Sequence, residues 1–293
     1  MIKKKKSYHR KVQNYGYVFI APALIVFFIF LILPMINSFY ISLCDWNMVG
    51  EKTFVGLKNF VDLLSDVRFI NSYKVTVHFT IISTIIIMFL SFWIALAFTA
   101  DIKLKNVLQS MIFLPVVLTM VAVAIVWGFM FQSTGLMSYI FMKIFGLHIP
   151  WLTSTKIAPY AIILVYVWKI TGYYMVIFLA GLLNIPEVYY EAATVDGAGF
   201  WAKLVHITVP QLRNTFTLAF ISCIIFSFGA FTQQYVMTGG GPARSTEVLA
   251  LLIYKEAFQY TRFGEASAIS VVYFLTLLFF SIVQLKIFKS GTG

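Results

Sequence analysis

Residues 12–44, VQNYGYVFIAPALIVFFIFLILPMINSFYISLC, run for 33 positions without a charged side chain. That exceeds the roughly 20 residues a helix needs to cross about 30 Å of hydrocarbon. Five more windows of this kind follow, at 75–100, 106–142, 157–186, 214–243 and 266–285, and only Lys169 interrupts them. The sequence therefore predicts an all-α polytopic membrane protein with six spans, near 16–43, 75–99, 108–131, 157–182, 214–237 and 266–286. The first window is too long for the apolar core of a signal peptide and no early small-residue cleavage site interrupts it, so it reads as a retained helix. Pro34 lies near its end and is a candidate kink.

The whole chain agrees with this reading: of 293 residues, 60% are hydrophobic and 11% charged, against about 25% charged in a soluble domain. Thirty Phe, 16 Tyr and 6 Trp exclude a disordered chain. The net charge of +11 does not point to nucleic acid, because Lys3, Lys4, Lys5, Lys6, Arg10 and Lys11 form one basic tail, residues 1–15, instead of a patch on a folded face. Two cysteines, Cys44 and Cys223, make neither a disulfide framework nor a metal motif. The expected spans place them at different depths, too far apart to pair.

Lys and Arg in short loops favour the cytoplasm, and with the tail included their excess puts the N-terminus and, by parity, the C-terminus inside. Connections 44–74, 132–156 and 238–265 then face outward, and 100–107 and 183–213 face the cytoplasm. The six-helix transmembrane body spans 16–289, and 183–213 is its only long cytoplasmic loop. The loop carries few charges for thirty exposed residues and many small ones, as though built to be covered.

The chain has no phosphate-cradling GxxxxGK[ST] loop and no cluster with metal-ligand spacing. Every acidic residue lies outside or at the ends of the spans, which gives little support to a chain of ion-relay carboxylates. Energy for transport would then come from another protein. In the long loop Pro186 is placed to start a helix, Gly197 to break it, and a second short helix to follow from about 199 to 206. Ala192, Ala193, Gly197 and Ala198 leave room for a partner backbone, and Glu191 offers an anchoring charge. An amphipathic surface elbow with small residues for tight turning would show the same pattern.

The ordered string Glu191-Ala192-Ala193, Asp196-Gly197-Ala198, Ile207, Val209, Pro210 resembles the EAA loop of the membrane subunits of binding-protein-dependent ABC importers, with Val209 where the family pattern has Leu. Phe54-Val55-Gly56-Leu57-Lys58-Asn59-Phe60, Leu179-Ala180-Gly181-Leu182 with Ile185-Pro186, and Thr238-Gly239-Gly240-Gly241-Pro242 with Ser245-Thr246 are similar to segments of the carbohydrate-type branch. Leu183 stands where that branch has Gln, and the large outer insertion of the bigger maltose-transporter subunit is missing. The resemblance implies the type I importer permease fold. It also implies a coupling helix that docks on an ATPase subunit, with Glu191, Ala192, Ala193, Asp196, Gly197, Ala198, Ile207 and Pro210 at the contact. The implied assembly has a second, homologous permease, two ATPase copies and an extracellular solute-binding protein, in a bacterial cell membrane. No cofactor belongs to this chain; ATP and Mg belong to the ATPase, and the chain itself is not an enzyme.

Lys169 lies some twelve residues into the fourth span, about 18 Å along it. A charge at that depth usually faces a bundle interior or a water-filled cavity, or else pairs structurally. Carried over from the related maltose subunit, sugar contacts fall on Lys169, Ile170 and Tyr173 and on Cys223, Phe226, Ser227 and Ala230. Tyr173 and Phe226 suit stacking on a sugar face, Ser227 and Lys169 suit hydroxyls, and Lys169 also raises the question of an anionic substrate. Gln233, Gln234 and Tyr235 read as interhelical hydrogen-bonding groups, and His78 and His206 as ordinary interfacial residues. The function implied is uptake of a sugar, oligosaccharide or related polyol. The competing class is a self-sufficient ion-coupled carrier or channel, in which 183–213 would be only a connection.

Overall fold

The computed structural model describes residues 19–100 and 102–289, so the basic tail and the first three residues of the expected first helix lie outside the described residues. Four of the six expected spans appear close to their predicted limits, as α1 (Phe19–Ile41), α7 (Ala158–Leu183), the pair α10 (Arg213–Phe228) and α11 (Thr232–Thr238), and α13 (Phe263–Lys289). The second, α3 (Val67–Ala97), starts eight residues earlier than expected. Counting charges finds only the membrane-embedded part of a helix, whereas here Asp66 caps the N-terminus by accepting from the Arg68 backbone N–H at 2.7 Å.

The third span departs furthest from expectation. Instead of one helix over 108–131, the chain forms α4 (Lys105–Val117) and α5 (Met120–Met130), bent by 97°. Leu118 and Thr119 are extended, and the Thr119 hydroxyl caps α5 by accepting from the Ala122 N–H at 3.4 Å. Pro115 in the last turn of α4 has no N–H to offer the Met111 carbonyl, which weakens the helix just before the break. Among the described residues five helices are thus long and apolar enough to cross a membrane, and the broken pair makes a sixth.

Pro34 does not kink α1 sharply. A π turn over Phe28–Ile32, closed by the Leu33 N–H on the Phe28 carbonyl, absorbs the proline. Pro210 is preceded in the same way by a π turn over Leu204–Thr208.

The connections hold short elements: a two-residue ribbon of β1 (Cys44–Asp45) and β2 (Thr53–Phe54), a small exception to an all-helical chain, then α2 (Lys58–Ser65), α6 (Leu136–Phe145), α8 (Glu187–Val195), α9 (Phe200–Lys203) and α12 (Leu249–Tyr254). The chain divides into two compact units. In the unit formed by the residues up to 64 and by 255–272, the Asn59 amide donates to the Ser42 and Cys44 carbonyls at 2.9 Å each, which gives the Phe54–Phe60 segment its structural purpose. Trp46 packs on Phe263 at 5.5 Å.

The other unit, 65–254 with the rest of the chain from 273, is built on α3 and α7. Lipid is as apolar as leucine, so helices in a membrane associate through close packing and buried hydrogen bonds. The buried face of α3 carries Ser72, Thr76, Thr80, Ser83, Thr84 and Ser91 at helical spacing, and the Ser91 hydroxyl donates to the Thr171 carbonyl of α7 at 2.8 Å. Where α7 meets α4, a Cβ on Gly172 would collide with the Ile112 carbonyl, so the two backbones touch only because this residue is glycine.

Candidate functional site: the α7–α10 elbow and the membrane interior

The connection from α7 to α10 begins at Pro186, whose extended backbone (φ −60°, ψ 131°) places it just ahead of α8. The helix ends in a Schellman closure: the Ala198 N–H reaches the Ala193 carbonyl at 2.8 Å, and the Gly197 N–H reaches Thr194 at 3.0 Å. Closure needs the left-handed backbone that Gly197 supplies (φ +77°). Asp196 is the last residue before that turn, and its side chain is exposed. The elbow is then locked from within. Lys203 donates to the Thr194 hydroxyl at 2.7 Å, and the Tyr190 and Thr208 hydroxyls bond at 2.9 Å.

This bracing leaves an apolar shelf exposed. Val188, Val195, Phe200, Trp201 and Val205 are all more than half exposed, with Val195 at 88%. Glu191 and Ala192 are exposed beside them, Ala193 and Ala198 are half-buried, and Pro210 is exposed. Ile207 instead turns inward and packs against the core. Beneath the shelf a groove of about 370 Å³ runs between the elbow and the ends of α3 and α7, walled by Leu96, Leu182, Ile185, Tyr190 and Leu204.

In the membrane interior the residues singled out from sequence do not form one cluster. Tyr173 and Phe226 are exposed, at 41% and 58%, whereas Cys223, Ser227 and Ala230 are buried in the core between helices. The Ser227 hydroxyl donates to the Tyr166 hydroxyl at 3.4 Å and Tyr174 donates to Ser222 at 3.3 Å, a hydroxyl network between α7 and α10 that includes two tyrosines not singled out from sequence. A tyrosine in an apolar helix gives no sign in the sequence of which neighbour its hydroxyl will meet. Ile170 is partly buried against the core. Lys169 is only 8% exposed, and its ammonium donates to the Val116 carbonyl at 3.3 Å. Both cysteines are free.

The interhelical hydrogen bonds expected of Gln233 and Gln234 are missing on the Gln233 nitrogen and on both amide atoms of Gln234, although both side chains are buried. Gln234 instead lines a cavity of about 270 Å³ with Lys74, His78, Ser245 and Thr246. The neighbouring Gly-Gly-Gly-Pro turn is closed by Thr238 and Thr246, whose hydroxyls bond at 2.7 Å. Arg68 grips the buried Glu247 with two bonds, at 3.0 and 2.9 Å. His78 meets Tyr160 edge to face at 5.6 Å, and the His206 ring nitrogen Nδ1 bonds the Ala202 carbonyl at 3.0 Å. Among the described residues no group of three His, Cys, Asp or Glu side chains is placed to hold a metal.

A family model described as "binding-protein-dependent transport system inner membrane component" matches residues 94–291, a range that contains the elbow, α7, α10 and α13. The chain belongs to this family. The permease is 34% identical over 282 residues to the probable ABC transporter permease protein YurN of Bacillus subtilis (strain 168), covering 94% of this chain and 96% of that one. It is 37% identical over 278 residues to the trehalose/maltose transport system permease protein MalF of Thermococcus litoralis, covering 93% and 92%. Its fold matches a chain in the crystal structure of a bacterial ABC transporter involved in the import of the acidic polysaccharide alginate, with a TM-score of 0.84 at 22% identity over 99% of this chain and all of that one. The permease thus has the type I importer fold and is a transport component of the membrane, not an enzyme.

Proposed function

We propose that this permease is the membrane subunit of an ATP-driven importer for a sugar, oligosaccharide or related polyol handed over by a solute-binding protein. An ATPase dimer would dock on the 183–213 elbow. The observation that carries this reading is the braced shelf: an exposed apolar surface rimmed by Glu191 and Asp196, held rigid by the Gly197 closure and the Lys203–Thr194 bond. A surface of that kind marks a protein contact, and a stiff one transmits motion. ATP and magnesium would be held by the ATPase. Both termini would face the cytoplasm, together with the elbow, and a second, homologous permease would complete the path.

The sugar reading is supported by relatives whose names specify trehalose and maltose, starch degradation products, and lactose. Of the residues carried over from the resemblance, Tyr173 and Phe226 are exposed enough to stack on a sugar face, whereas Cys223, Ser227 and Ala230 are buried between helices. The test is uptake by proteoliposomes containing the complete importer. Uptake that requires ATP, is blocked by vanadate and is abolished by Glu191→Arg supports the reading. Uptake that collapses with an uncoupler and survives Glu191→Arg makes the chain an ion-coupled carrier instead.

A further inference from the structure

Trp168 and Lys169 are consecutive on α7, yet they touch opposite sides of the break in the third span. Lys169 donates to the Val116 carbonyl, in the last turn of α4. Trp168 meets Trp127 of α5 edge to face at 5.4 Å. We propose that this pair is a clamp that fixes the bend between α4 and α5, making Lys169 a positioning residue for transport and not a counter-charge for substrate.

The physical case starts from the helix end. The final carbonyls of α4 have no partners within the helix, and inside a membrane no water replaces them. A cation at a helix C-terminus satisfies such an oxygen and opposes the negative end of the helix dipole. Lys169 does both from a neighbouring helix, while Gly172, one turn on, lets the two backbones touch. On the other side Val123 of α5 and Phe131 at its C-cap share a small buried core with Ala161 and Val165 of α7, and Trp151 stacks on Phe131 at 5.0 Å. Each half is thus seated separately on α7. The clamp sits where the two seats meet.

The proposal rests on the reading of the chain as a transport permease, but its first measurement does not depend on transport. Nitroxides at Val126 and Leu183, both exposed, report the position of α5 against the far end of α7 in the assembled complex, in a background with Cys44 and Cys223 replaced by alanine. The parent and Lys169→Arg should give one narrow distance peak, and Lys169→Met and Trp168→Ala should broaden or shift it. In uptake, Lys169→Met should lower the maximal rate about tenfold, the size of effect a partly buried charge at a helix end supports, with KM within about twofold. Lys169→Arg should restore the rate. A narrow peak in Lys169→Met with a raised KM would show direct substrate contact and overturn the proposal, as would unchanged distance and rate. If Lys169→Met does not assemble, Trp168→Ala decides: a narrow peak there overturns the clamp.

Discussion

Two bends shape the functional parts of this permease, and they are built in opposite ways. The bend after α8 is local. Gly197 adopts φ +77°, the two Schellman bonds close within six residues, and Lys203 braces it from nine residues away. The bend between α4 and α5 has neither a glycine nor a left-handed residue at its corner; Leu118 and Thr119 are simply extended. It is held from another helix, by Lys169, Trp168 and the bare backbone at Gly172. At a water-exposed surface the backbone can be satisfied by solvent, so a turn there needs only a permissive residue. In lipid the freed carbonyls need a protein donor, and a neighbouring helix must provide it.

The largest predicted effect strikes the membrane bend. Gly172→Val would drive a branched side chain into the Ile112 carbonyl, and overpacking of this kind costs about 1–3 kcal/mol or more. The complex should lose several degrees of thermal stability and most of its yield; wild-type stability would mean that α4 is not seated on α7. Next in size is Gly197→Val, which forces an L residue into the left-handed region at a cost of about 1–2 kcal/mol. Its damage should stay at the elbow: uptake and substrate-stimulated ATP hydrolysis fall while the Val126–Leu183 distance is unchanged, and Gly197→Asn recovers part of the loss because asparagine tolerates that conformation. A shifted distance in Gly197→Val would show that the two bends are coupled and break the comparison. Smallest is Thr194→Val, which removes the Lys203 bond at an exposed site and should cost on the order of 0.5 kcal/mol. Slightly faster amide exchange confined to 187–211 is the expected readout, and exchange that also rises in α4 or α5 would contradict a locally built elbow.

The same contrast explains which parts were legible. Pro186, Gly197 and Ala198 announce the elbow because helix starts and Schellman ends are set by residues a few positions apart. Even there the sequence did not show that Ile207 turns inward while Trp201 is exposed, which depends on what lies beneath α9. The third span read as one helix because 106–142 carries no charge, and length and composition do not register a 97° corner. Pro115 and Thr119 were the available hints, a missing donor followed by a hydroxyl suited to capping. Lys169 was found as a charge inside a span, and Tyr173, Cys223, Phe226, Ser227 and Ala230 through the family resemblance, but neither route showed how they group. Tyr173 and Phe226 face outward while Cys223, Ser227 and Ala230 are packed, because helix rotation is set by neighbours such as Tyr166 and Tyr174.

By itself the sequence determined the class and most of the spans, since the cost of burying charge in hydrocarbon is a property of each residue and adds along the chain. It also determined the elbow after α8, because that turn satisfies its own backbone within a few residues. Only the tertiary structure decided where the third span breaks and which group Lys169 meets. A carbonyl freed in lipid has to be matched by a donor, and the donor here lies 53 positions away in sequence, brought alongside by the packing of two helices.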